Sequence, residues 1–202
     1  MIQIKNVKKY FGDKIIFENF SCEINDGDMV VFSGVSGKGK TTLLNMIGGL
    51  EKYQSGEILV DGLAVSSSKN LKKLYKDHFG FLFQNFALIE KETVEKNLKI
   101  IDKKNRNDIS IEEALEKVGL KGYGSRKVYT LSGGEQQRVA LARLFLKKCS
   151  IILADEPTGS LDKKNADIVM DYLFELNKEG KTVVVVTHDE EYKKRFEKVV
   201  YI

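Results

Sequence analysis

Residues 34–41 read Gly34-Val35-Ser36-Gly37-Lys38-Gly39-Lys40-Thr41 and fit the phosphate-loop pattern Gly-x-x-x-x-Gly-Lys-Thr. The apolar run Met29 to Phe32 precedes the loop, and Thr42 to Leu50 follows it with helical periodicity, closed by Gly48-Gly49. Strand, glycine loop and helix form the context the pattern requires. Loop N–H groups and the helix N-terminus then make one anion cradle. The candidate phosphate-binding residues are therefore Gly34 through Thr42. Lys40 is expected to neutralise the β- and γ-phosphates as a point charge, and the Thr41 hydroxyl to ligate Mg²⁺.

Working outward, Ile2 to Val7, Ile15 to Ile24 and Gly56 to Val60 read as strands around glycine turns, so the opening portion is mixed and partly antiparallel. From Asn85 to about Thr130 the periodicity is helical, clearest over Val94 to Ile101 and Ile111 to Val118. Beyond it, strands at Ile151 to Leu153, Thr182 to Val186 and Val199 to Ile202 alternate with helices over Asn165 to Leu176 and Glu190 to Phe196. Continuous apolar strands separated by helices predict a parallel sheet covered on both faces. The fold class is α/β, with a mostly parallel core, an N-terminal antiparallel β portion and a helical insertion.

Two further stretches carry chemistry. Ile151-Ile152-Leu153-Ala154-Asp155-Glu156-Pro157 places two acids at the C-terminal end of a buried strand, where ligands collect in open α/β sheets. Asp155 is suited to hold Mg²⁺ and Glu156 to orient and deprotonate an attacking water. In Leu131-Ser132-Gly133-Gly134-Glu135-Gln136-Gln137-Arg138, Ser132 can cap a helix running to Leu146, and the two glycines admit close backbone approach. By itself this is an ordinary capped helix. Next to a phosphate loop it is a second anion site, since a helix N-terminus carries roughly half a positive charge.

With these motifs in this order, the chain resembles the nucleotide-binding domain of ATP-binding cassette proteins, a group of P-loop NTPases, from Ile2 to the end. Residues 131–138 are similar to the family's signature motif. Gln84, after the strand Phe79 to Phe83, matches its glutamine loop; Ser160-Leu161-Asp162 matches its D-loop; His188 matches its switch histidine. The resemblance implies one domain over 1–202, with residues 1–84 and 131–202 forming the core and 85–130 a helical subdomain. It also implies that Gln84 touches Mg²⁺ and that His188 contacts the γ-phosphate and assists Glu156. An aromatic before Gly12 would stack on adenine, which points to Phe11, with Tyr10 as the neighbouring alternative. Two copies would sandwich ATP, with Ser132, Gly133, Gly134 and Glu135 of one copy facing the phosphates held by the other. Lys38 departs from the family, which usually has a small residue there; its side chain is expected to point away from the phosphates.

The strings Met46-Ile47-Gly48-Gly49-Leu50, Phe81-Leu82-Phe83-Gln84-Asn85-Phe86 and Ala154 to Asp162 are most similar to a bacterial branch of ATPases for lipoprotein release, macrolide export, bacitracin resistance and bacteriocin export. That likeness implies an export ATPase working through a separate permease. A division-type ATPase acting on cell-wall hydrolases is the alternative.

The bulk properties are compatible. A chain of 202 residues at 42% hydrophobic can bury one substantial core. Its longest apolar runs fall far short of the roughly 20 residues of a membrane helix. The start, Met1-Ile2-Gln3-Ile4-Lys5, lacks a signal-peptide pattern, and Cys22 and Cys149 offer no paired spacing. The expected location is the cytosolic face of a membrane, reached through the permease. The net charge of +4 comes from interleaved Lys, Asp and Glu without an Arg-rich stripe, which argues against nucleic acid as a partner.

Overall fold

The computed structural model describes residues 1–202. Strands β1 (Ile2–Phe11), β2 (Lys14–Ile24), β3 (Met29–Ser33), β4 (Ser55–Val60), β5 (Leu63–Ala64), β6 (Phe79–Phe83), β7 (Ile151–Asp155), β8 (Thr182–Val186) and β9 (Lys198–Tyr201) form two sheets. A four-stranded antiparallel sheet has the order β2-β1-β4-β5, and a five-stranded parallel sheet the order β6-β7-β8-β3-β9. The expected mixed architecture is borne out.

The parallel strands are apolar throughout because both of their faces are covered. Alternate residues go to different cores. Val30, Phe32, Ile151, Leu153, Val184 and Val186 join the antiparallel sheet and Leu43, Leu44, Met46 and Ile47 of α1 (Lys40–Ile47). Val31, Ile152, Ala154, Val183 and Val185 pack on the other face against α5 (Gly133–Leu146) and α6 (Lys163–Lys178). Pleat periodicity thus makes a three-layer molecule from five short strands.

Between the sheets' strands lie α2 (Ser68–Asp77), α3 (Val94–Lys99) and α4 (Ile111–Lys117), the last opened by a Ser110/Glu113 capping box. Helix α2 was not foreseen. It buries only Leu74 fully; Leu71, Leu74 and Tyr75 make a narrow apolar stripe that four lysines and other polar residues obscure in the sequence. The helix expected over Glu190 to Phe196 is one turn, α7 (Glu190–Lys193), because the chain must extend again for Lys198 to pair with Val30. Strand β1 runs past the expected Val7 to Phe11, carrying Lys8 and Lys9 into the sheet.

Register determines where chemistry collects. Phe83 pairs with Asp155, Asp155 with Val186, and Val186 with Phe32. The segments that follow these residues, Gln84, Glu156, Thr187-His188 and the loop from Gly34, therefore all leave one edge of the parallel sheet. No helix is long and apolar enough to cross a membrane.

Candidate functional site

The loop after β3 turns into α1 at Gly39, whose φ of 108° is left-handed and whose missing side chain admits Ile16 and Phe17. No side chain caps α1, so its first N–H groups remain available to an anion. Lys40 is buried and folds back over the loop, its Nζ donating to the carbonyls of Gly34 at 2.8 Å and Val35 at 3.1 Å. Lys38 and Val35 are exposed. A cavity of about 330 Å³ is bordered by Ser36, Gly37, Gly39, Lys40, Thr41 and Thr42 on one side and by Phe11 and Glu156 on others. Phe11 thus borders the loop's cavity. Tyr10 does not; its backbone is tied to the Gln54 side chain.

The strand end after β7 meets the loop directly. The Thr41 hydroxyl donates to Asp155 Oδ1 at 2.8 Å, and this hydroxyl is the carboxylate's side-chain partner. Burial pushes the Asp155 carboxyl above the usual carboxylate range; the Thr41 hydrogen bond opposes that rise and the nearby Glu156 charge adds to it. Glu156 adopts φ of 44°, a left-handed conformation that costs a non-glycine residue about 1–3 kcal/mol. His188, exposed at the end of β8, brings Nδ1 to 2.9 Å from Glu156 Oε2. Two residues 32 positions apart thereby share a contact beside the phosphate loop.

A second cavity is reached through Asp155, the partner of Thr41. Gln84, Phe86, Gly133, Asp155 and Ser160 line it, so the start of α5 and the segment after Glu156 face the glutamine at the end of β6. Ser132 caps α5 and accepts from the Glu135 N–H at 3.3 Å, while Glu135 Oε2 accepts from the Ser132 N–H at 2.8 Å. The Ser132 N–H first, then desolvation opposing it, then the Ser132 and Tyr123 hydroxyls, leave the Glu135 carboxyl below the usual range. The capping box does not use the N–H groups of Gly133 and Gly134. Gly134 is pressed on Asn165, where an added Cβ would come within 2.6 Å of the amide carbon. None of Ser132 to Glu135 borders the chain's own phosphate-loop cavity.

Several contacts had no sequence signal. Gln137 is buried and donates to the Pro157 carbonyl at 2.6 Å, joining α5 to the acidic segment. Arg138 donates to Asn165 Oδ1, and Asn165 donates to Asp162 at 2.8 Å. Arg143 donates to the Phe86 carbonyl at 3.0 Å and the Ala87 carbonyl at 2.7 Å, holding two consecutive residues at φ of 61° and 48° directly after Gln84 and Asn85. Apart from the local Asn165–Asp162 bond at the start of α6, each joins segments remote in the chain, and only the composition of the pair, never its proximity, is visible in sequence.

The family model described as ABC transporter matches residues 17–159. The chain is 41% identical to an uncharacterized ABC transporter ATP-binding protein of Methanocaldococcus jannaschii, across 100% of this chain and 93% of that protein. It is 40% identical to the macrolide export ATP-binding/permease protein of Mannheimia succiniciproducens, over 94% of this chain but 31% of that much longer protein. Among solved structures, the dimeric ATP-binding cassette MJ0796, in a post-hydrolysis state bound to ADP and Pi, matches with a TM-score of 0.85 and 38% identity over 100% of this chain and 94% of that one. Motif order, sheet topology and similarity along the whole chain agree, and the chain belongs to the ABC transporter family.

Proposed function

We propose that this chain is the ATP-hydrolysing subunit of an export-type transporter, driving a peptide, drug or lipid-linked substrate through a permease carried on a separate polypeptide. The observation that carries the ATPase reading is the meeting of Thr41 with Asp155 and of His188 with Glu156 around one phosphate loop. The export assignment is supported by the likeness to a protein named for macrolide export.

In this reading adenine lies on Phe11 and the phosphates lie in the loop Gly34 to Thr42. Lys40 exchanges the Gly34 and Val35 carbonyls for β- and γ-phosphate oxygens. Glu156 orients the attacking water and accepts its proton, with His188 steadying the carboxylate and reaching the γ-phosphate. The donor set fits Mg²⁺: a half-buried carboxylate paired with a hydroxyl is a hard-oxygen site lacking a counter-charge, and Gln84 at the neighbouring strand end could add a third oxygen. When bound, Mg²⁺ supplies neutralisation of the phosphate charge.

The glycine N–H groups of 133 and 134, left out of the capping box and away from their own loop, are read as a γ-phosphate site for a second copy. Two chains would then enclose two ATP molecules. The chain is taken as one domain, with residues 85–130 as its helical subdomain, and the permease would anchor it at the cytosolic membrane face. An apolar groove of about 380 Å³ among Phe81, Phe83, Ile100, Ile101 and Leu144, adjoining the Arg143-held loop after Gln84, suits a helix of that permease. The deciding experiment is Glu156→Gln with light scattering. It should form an ATP-bound dimer that the wild type does not accumulate, whereas a variant that stays monomeric at saturating ATP would refute the sandwich.

A further inference from the structure

Lys9 is an unusual residue to find in a core. It lies near the end of β1, is only 3% exposed, and its charge would be costly to bury without partners. An ammonium has three N–H donors. One meets Glu51 Oε1 at 2.7 Å and one meets the Lys52 carbonyl at 2.8 Å. The remaining side of the ammonium lies over the Phe11 ring, 4.0 Å from its centroid. Phe11 itself is 48% exposed and borders the phosphate-loop cavity, which Lys9 does not.

Strand geometry explains the pairing. Residues two apart in β1 point to the same side, so Lys9 and Phe11 stand beside each other while Tyr10 points away. Glu51 and Lys52 follow the C-terminal end of α1, the helix that begins at the phosphate loop. The ammonium therefore ties the ring to the element that carries the phosphates, and lies over one face of a side chain that is still 48% exposed.

We propose that Lys9 is a positioning residue for nucleobase recognition. From behind, its ammonium holds Phe11 at a set distance from the phosphate loop and draws electron density from the ring, so the other face stacks better on an electron-rich purine. Lys9 does not touch the nucleotide. The inference rests on adenine stacking on Phe11, and the test separates the two ideas.

The test measures Kd by titration calorimetry for ATP and for inorganic triphosphate, which has no base, in wild type, Lys9→Met, Lys9→Arg and Phe11→Ala. Cation–π contacts of this kind predict a roughly threefold to tenfold rise in Kd for ATP in Lys9→Met, with Kd for triphosphate unchanged and Lys9→Arg within about twofold of wild type. Equal weakening of both ligands, or of neither, in Lys9→Met would overturn the inference. Phe11→Ala with unchanged ATP affinity would overturn the stacking reading itself; Phe11→Ala weakened beside a normal Lys9→Met would overturn only the role of Lys9. Should Lys9→Met not fold, Glu51→Gln, which loosens the ammonium but keeps every apolar contact, is read on the same two ligands. A smaller rise for ATP alone supports the inference, and no difference between the ligands overturns it.

Discussion

Gly134→Ala tests how tightly α5 is docked on α6. The new Cβ would sit 2.6 Å from Asn165 Cγ, 2.7 Å from Oδ1 and 2.9 Å from Nδ2, about 1 Å inside ordinary van der Waals distance. Asn165 cannot simply turn aside. Its Nδ2 donates to Asp162 at 2.8 Å, its Oδ1 accepts from Arg138, and its backbone N–H is held by Asp162 at 2.9 Å. Moving the side chain would give up two charge-assisted bonds, and moving the helices apart would cost about 1–3 kcal/mol as overpacking. Alanine's better helix propensity offsets up to about 1 kcal/mol, leaving a net loss of about 1–2 kcal/mol. For a chain of this size that lowers Tm by roughly 2–8 °C. The assay is thermal unfolding of the nucleotide-free protein followed by circular dichroism, in the wild-type and Asn165→Ala backgrounds. In the second background the clash is gone, so the substitution should be neutral or stabilising by up to about 1 kcal/mol. Equal Tm losses in both backgrounds, or none in either, would refute the packing argument.

Asp155→Asn should raise Tm of the nucleotide-free protein near pH 7, because a carboxyl whose folded pKa is raised by burial costs stability wherever it is ionised; the gain should vanish below about pH 4, where the unfolded carboxyl is also protonated. A pH-independent effect would contradict this, and hydrolysis should be lost in the same variant. Ser132→Arg should abolish ATP hydrolysis while leaving monomer affinity for ATP within about twofold, and Lys40→Ala should weaken that affinity by about tenfold or more, as expected for loss of a charge-assisted phosphate contact; equal affinity losses by calorimetry would contradict the division of labour. Lys38→Ser, removing an exposed side chain, should leave turnover intact; a tenfold drop in a steady-state phosphate-release assay would show that Lys38 serves the phosphates.

Legibility in the sequence followed the range of the interaction. The strand, loop and helix around Gly34 to Thr42 were readable because pattern, periodicity and turn residues all lie within about 20 neighbouring positions. The Ser132 cap was readable in the same way, whereas the Ser110/Glu113 capping box was not singled out in the sequence. Helix α2 escaped because Lys69, Lys72, Lys73 and Lys76 face solvent and only Leu74 is fully buried. The end of β1 escaped because two lysines look like a solvated turn until Glu51, 42 residues on, is seen to neutralise one of them. The strained Glu156 also left no trace, since φ depends on the packing that holds it.

By itself, the sequence determined which chemical groups are present and in what order: a phosphate loop, an acidic strand end, a glycine-led helix and a histidine after an apolar strand. Hydrogen-bonding and hydrophobic periodicity over a few residues write those features locally. Only the tertiary structure decided that Thr41 meets Asp155 across 114 residues, that His188 rests on Glu156, and that Phe11 rather than Tyr10 borders the cavity at the phosphate loop, with Lys9 against its ring. Those contacts follow from parallel register and from which side of a pleat each residue occupies. A one-residue slip would move each strand's residues to the opposite face of its sheet while leaving the composition unchanged.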